Sequence, residues 1–101
     1  MRIIVMFDLP MLSSANRSEY TKFRKFLIKS GFIMMQESVY CKLVQNSSAA
    51  DLVIQSIRKN KPSKGLVQAM KITEKQYSKI EYIVGESKTE VLDSDERLVI
   101  I

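Results

Sequence analysis

An α+β domain with two helices packed on one sheet, in the order β-α-β-β-α-β, is what this 101-residue chain predicts. Three observations predict it. The chain opens on five consecutive apolar residues, Ile3-Ile4-Val5-Met6-Phe7, which read as a strand covered on both faces and therefore central in its sheet. Two later segments carry apolar residues at helical spacing. Between and after them lie β-prone runs of strand length. With right-handed crossovers and both helices on one face, the simplest arrangement is a ferredoxin-like sandwich.

The elements follow in order. The first strand ends at Asp8, and Pro10 stops the ladder because it has no N–H to donate. Ser13 or Ser14 can cap a helix from about Ala15 to Ser30, whose inner face is Tyr20, Phe23 and Leu27 and whose end is Gly31. Phe32 to Val44 is β-prone, with Ile33, Met35, Val39, Cys41 and Leu43 on one parity. Its polar break at Gln36-Glu37-Ser38 reads as a tight turn between two short strands, with a single bent strand as the alternative. Cys41, among those positions, reads as a small buried hydrophobe rather than a nucleophile.

Ser48 with Asp51 resembles a capping box for a second helix, striped by Ala50, Val53, Ile54 and Ile57 and ending near Asn60. Gly65 to Ile72 is the next strand. Thr73 with Gln76 forms another capping box, opening a short helical turn through Tyr77 and Ile80. Tyr82 to Val84 reads as a short strand closed by Gly85. The whole chain, 1–101, is expected to be one domain, with 86–101 as a C-terminal arm and strand; Leu98-Val99-Ile100-Ile101 needs cover from its own sheet or another subunit.

Charge is unevenly divided. Residues 1–79 carry 14 Lys and Arg against 5 Asp and Glu, whereas residues 80–101 carry 2 against 6. A basic body of this kind suits a polyanionic partner. Lys22, Lys25 and Lys29 fall on the outer face of the first helix, and Arg58, Lys59, Lys61 and Lys64 crowd the end of the second. Two readings fit them, a solvated face and a stripe of phosphate contacts. The single cysteine fits a reducing cytoplasm. No apolar run approaches the ~20 residues of a membrane span, and the N-terminal run is too short for a secretory leader, so a cytoplasmic protein with no membrane partner is expected.

Several chemistries are excluded. The chain has no histidine, which removes imidazole acid/base catalysis, Ser-His-Asp and Cys-His arrangements and most zinc sites. Three scattered glycines cannot build a phosphate loop, and no RNA-recognition signature with interleaved aromatics occurs in the strands. What remains is carboxylates, hydroxyls, cations and a metal. A carboxylate at the end of a central strand needs a metal ion, a cationic partner or water. The sheet face away from the helices must also be covered, which predicts a sheet-to-sheet homodimer. If a two-fold axis runs near the ends of the first strands, two Asp8 carboxylates converge and a hard cation, Mg²⁺ or Mn²⁺, one per dimer, relieves their repulsion. The competing reading has Asp8 capping the loop to the first helix.

Phe7-Asp8-Leu9-Pro10, the Tyr20-to-Leu27 helix closing on Gly31-Phe32, Gln36-Glu37-Ser38-Val39-Tyr40 and Thr73-Glu74-Lys75-Gln76, in this order, resemble the small CRISPR-associated family usually called the second Cas protein. The likeness spans nearly the whole chain, and the Ser94-Asp95-Glu96-Arg97 tail looks like the branch found beside type II effector genes. The resemblance implies a ferredoxin-fold homodimer that serves spacer acquisition in antiviral defence, bridging two dimers of the CRISPR integrase and holding duplex DNA. It also implies, for some members, a Mg²⁺-dependent phosphodiesterase, an endonuclease on single-stranded RNA or double-stranded DNA. On it, Asp8 maps to the catalytic residue and metal ligand, with Gln36, Ser38 and Tyr40 near the site. Where many relatives carry an arginine two residues before the Gln, this chain has Met34, which removes a cation able to stabilise a phosphoryl-transfer transition state.

Three functions compete on these grounds. In the first, Arg17, Lys22, Lys25, Lys29, Arg58, Lys59, Lys61 and Lys64 contact duplex phosphates, and Glu96, Arg97, Leu98, Val99, Ile100 and Ile101 dock the integrase. In the second, paired Asp8 residues support cleavage. In the third, the fold is a regulatory module that binds a small molecule between subunits, a reading the lack of a Gly-rich loop disfavours.

Overall fold

The computed structural model of the chain describes residues 1–86. Its elements are β1 (Arg2–Asp8), α1 (Ser14–Lys29), β2 (Ile33–Gln36), β3 (Val39–Leu43), α2 (Ser47–Lys59), β4 (Leu66–Ile72) and a short α3 (Glu74–Ser78). The four strands form one sheet in the order β2-β3-β1-β4, with every neighbouring pair antiparallel. This is the ferredoxin-like arrangement that the order of elements predicts. β1 is paired along both sides: Val5 lies opposite Tyr40 of β3 and Ala69 of β4.

Alternation divides β1 between two layers. Ile3, Val5 and Phe7 join Phe23 and Leu27 of α1, Ala50 and Ile57 of α2, Phe32 and Tyr40 in the main core. Phe7 is the hub of that core, edge-on to Phe23 at 5.2 Å, stacked on Tyr40 at 5.7 Å and tilted against Tyr20 at 5.9 Å. Such aromatic pairs add about 0.5–1.5 kcal/mol each beyond the area they bury. The opposite parity of β1 faces a second, smaller cluster of Ile4, Cys41 and Ile72, bordered by Met6, Met35, Val39 and Tyr77.

The caps follow local chemistry. Ser13 caps α1 by accepting the Asn16 N–H at 3.0 Å. The helix closes as the glycine signal requires: Gly31 takes a φ of 96°, its N–H reaches the Ile28 carbonyl, and Phe32 N–H reaches the Leu27 carbonyl, so Phe32 folds back onto the core. Thr73 and Gln76 form the expected reciprocal capping box on α3.

Two expectations are corrected. α2 is capped by Asn46, whose Oδ1 accepts the Ala49 N–H at 2.8 Å, while Asp51 instead pairs with Lys71 of β4 at 2.8 Å. The parity Ile33, Met35, Val39, Cys41, Leu43 does share one face, the one away from the helices, where Cys41 is buried as expected, while Phe32 and Tyr40 supply this run's share of the main core. Tyr82 to Val84 is not a strand: Ile83 is 90% and Val84 93% exposed, with no ladder to join among the described residues. The break at Glu37-Ser38 is a tight turn, with Ser38 at φ 66° and a register irregularity between Met34 and Gln36 beside it. The residues expected to dock the integrase, Glu96 to Ile101, lie outside the described residues, as does the expected arm from residue 87 onward.

Among the described residues no helix is long and apolar enough to cross a membrane. Since Phe7 joins three aromatic rings, Phe7→Ala should cost about 3–5 kcal/mol, read as a lowered urea midpoint with an unchanged slope.

Candidate functional site: an acidic rim and a basic groove

Asp8 ends β1 opposite Leu66, with its side chain exposed. By alternation it shares the face of Arg2, Ile4 and Met6, the face the helices leave open. Its backbone is fixed on two sides. Ser38 of the β2–β3 turn accepts the N–H of Phe7 at 3.0 Å. On the other side Gly65, at φ +97°, lies so close that a Cβ there would stand 2.7 Å from the Asp8 carbonyl oxygen. Only glycine tolerates both the dihedral and the approach. The rim therefore holds one carboxylate in a defined place, with no ion-pair partner among the described residues to neutralise it.

The residues predicted near it divide. Ser38 belongs to the turn against β1, and Gln36 is exposed at the end of β2. Tyr40 is buried, its ring stacked on Phe7 in the helix-side core. No cluster of three or more metal-ligating carboxylates or thiols occurs among the described residues. Asp8 is the hard oxygen donor at this rim, of the kind that Mg²⁺ and Mn²⁺ take.

The basic residues sit at the other layer. Lys22 and Lys25 line a shallow surface with Ser14, Ser18 and Thr21 along α1. Arg17 borders it too, and one of its guanidinium nitrogens donates to the carbonyls of Met11 and Leu12 at 3.2 and 3.4 Å, bracing the loop that follows Asp8. A second hollow of about 370 Å³ lies between α1 and the α2–β4 loop, where Lys22 meets Lys59 and Lys61. Lys64 lies beyond it, near Leu9 and Pro10. Lys29 and Arg58 are exposed but line neither hollow.

The model for the family described as CRISPR associated protein Cas2 matches residues 1–80. The chain belongs to that family. A relative from Treponema denticola (strain ATCC 35405) named CRISPR-associated endoribonuclease Cas2 is 59% identical over 101 residues, covering 100% of both chains. Relatives of the same name from Streptococcus mutans (UA159) and Ligilactobacillus salivarius (UCC118) are 46% and 45% identical, each covering 100% of this chain and 93% and 100% of the relative.

Two features of this Cas2-family chain escape sequence reasoning. On the open face, Arg2 donates to both oxygens of Glu74 at 3.2 and 2.9 Å, stacks 3.8 Å over the Tyr77 ring and places a nitrogen 3.9 Å from the Cys41 sulfur. Burial pushes the Cys41 thiol up, and the neighbouring Arg2 guanidinium only partly offsets this, so the thiol stays protonated and unreactive at neutral pH. Nothing in the spacing of residues 2, 41, 74 and 77 announces the cluster. The second feature is Glu19, whose carboxylate accepts the Ser63 N–H at 2.9 Å and the Ser63 hydroxyl at 2.9 and 3.0 Å. Its signal was an isolated acid on a lysine-rich helix.

The hydrogen bonds from Ser63, first the backbone N–H and then the hydroxyl, hold the Glu19 carboxyl below its ordinary range, with Lys22 and Lys64 adding to the effect. A depressed folded-state pKa stabilises the fold above the unfolded value, near 4.3, and that contribution is lost as pH falls through the folded value. Glu19→Gln should therefore unfold more readily than the parent at pH 7, with the gap narrowing as pH falls through the acid range; chemical denaturation across a pH series measures it.

Proposed function

We propose that this Cas2-family protein is a homodimeric scaffold of CRISPR spacer acquisition that holds duplex DNA and bridges integrase dimers. One observation carries this reading: the surface is divided between an apolar sheet face and a cationic helix layer. On the sheet face Ile33 (48% exposed), Leu43 (60%), Leu66 (55%) and Met70 (46%) surround Ile4, Cys41 and Ile72, apolar side chains that a lone domain would leave in water. The occupant this reading assigns to it is a second copy of the same face, which brings the two Asp8 residues to a common rim. The helix layer, with Lys22, Lys25, Lys59 and Lys61, is then left outward for phosphates, which it contacts without reading base sequence.

Each part has its own test. Met70→Glu places a charge in the proposed interface and should convert the dimer to a monomer in light scattering behind size exclusion; a dimer that persists unchanged refutes the sheet-to-sheet pairing. Lys22→Ala/Lys61→Ala should weaken duplex binding about equally for unrelated sequences and flatten the dependence of log K on log salt by roughly 0.9 for each phosphate that is no longer neutralised. Removal of residues 96–101 should abolish co-elution with the integrase while leaving duplex affinity in place.

A second reading, cleavage, is favoured by the name endoribonuclease that the relatives carry. Asp8 of each protomer would hold a Mg²⁺ or Mn²⁺ ion, which when bound supplies an activated water and neutralises charge on the phosphate. The chain's own contribution is to hold those carboxylates at a solvent-accessible rim fixed by Ser38 and Gly65. Asp8→Asn should abolish cleavage of labelled RNA and DNA while leaving duplex affinity within about twofold; equal cleavage by the variant assigns the activity to a contaminant.

A further inference from the structure

The hollow between α1 and the α2–β4 loop has an unusual occupant for a basic site. Of its polar lining, Lys22, Lys59, Lys61, Asn60 and Ser63 offer donors, and Glu19 alone is an acid. That acid is not paired with the lysines. Among the described residues Lys22, Lys59 and Lys61 form no ion pair with any carboxylate, and Glu19 instead takes both the backbone N–H and the hydroxyl of Ser63. A backbone amide, a hydroxyl and lysine ammoniums converging on one hollow are the groups that grip phosphate oxygens.

We propose that Glu19 is a gate in this groove: its carboxylate occupies the seat on Ser63 that a nucleic-acid phosphate takes on binding, and it yields that seat to the phosphate. This rests on the reading that the helix layer carries the duplex. The carboxylate that ties α1 to the loop also places a negative charge where a polyanion must come. The charge has a use if it must be displaced. A lone phosphate ion recovers only the two Ser63 bonds that Glu19 gives up, so it gains little. A polymer whose neighbouring phosphates reach Lys22, Lys59 and Lys61 at the same time recovers those bonds and adds new ones. The gate thus favours a continuous phosphate backbone over free phosphate or mononucleotides.

Fluorescence anisotropy with a labelled duplex, measured across a salt series, tests this. Glu19→Gln, which removes the charge that the polymer must displace, should bind about three- to tenfold more tightly than the parent at low salt, with the gain shrinking as salt screens that charge. Glu81→Gln removes an equally exposed charge away from the groove and should change affinity less than about twofold with no change of slope. If Glu19→Gln binds no more tightly than the parent, or both variants gain alike, Glu19 is a brace or a diffuse charge and the gate is overturned. The Lys22→Ala/Lys61→Ala variant separates the two levels. When it binds more weakly while Glu19→Gln brings no gain, only the gate falls; when it binds as tightly as the parent, the duplex lies elsewhere and both readings fall.

Discussion

The structure depends on one constraint, the pairing of β1 along both of its edges. A strand so placed has no backbone group left to solvent through its middle, and its side chains must satisfy a layer above and a layer below. Ile3, Val5 and Phe7 anchor the helices, and Ile4 and Met6 build the smaller cluster beneath. Phe7, gripped by three aromatic rings, immediately precedes the acid at the strand's end. The position of Asp8 is thereby inherited from the core rather than set by any contact of its own carboxylate.

The same strand separates two chemistries. One side of the sheet collects sulfur and aliphatic groups around a charged cluster in which Arg2 pairs with Glu74 and stacks on Tyr77. The other side carries α1, lysine-rich on its outer surface, and a hollow between it and the α2–β4 loop where Lys59 and Lys61 join Lys22. The loop has ties to both sides: Ser63 engages α1, while Gly65, two residues on, packs against the Asp8 backbone. Strain or movement at the groove is therefore mechanically close to the acidic rim, through two peptide units.

Much of this was legible in the chain because the signals were local. An unbroken apolar run marks β1, the Tyr20, Phe23, Leu27 stripe marks α1, Gly31 marks its end, and Thr73 with Gln76 marks the start of α3. What failed to show was long-range. The odd-numbered residues of the Phe32–Val44 run alternate correctly, but alternation alone does not say which of two apolar faces meets the helices. Asn46 competes with Ser48 for the cap of α2, and Asp51 is drawn off by Lys71, twenty positions away. Tyr82 to Val84 has strand composition but finds no strand beside it among the described residues. At the site, the exposed acid at Asp8 follows from strand length and Pro10, whereas the Glu19–Ser63 and Arg2–Glu74 contacts join residues 44 and 72 positions apart.

The outer strands of the four-stranded sheet carry a further consequence. β2 loses its register between Met34 and Gln36, and β4 turns Lys71 inward to Asp51 and Ser47 of α2. A kinked border and a tethered ammonium both make poor templates for another chain's backbone. Growth of the sheet sideways into ribbons or fibres is thereby discouraged at both of its described borders.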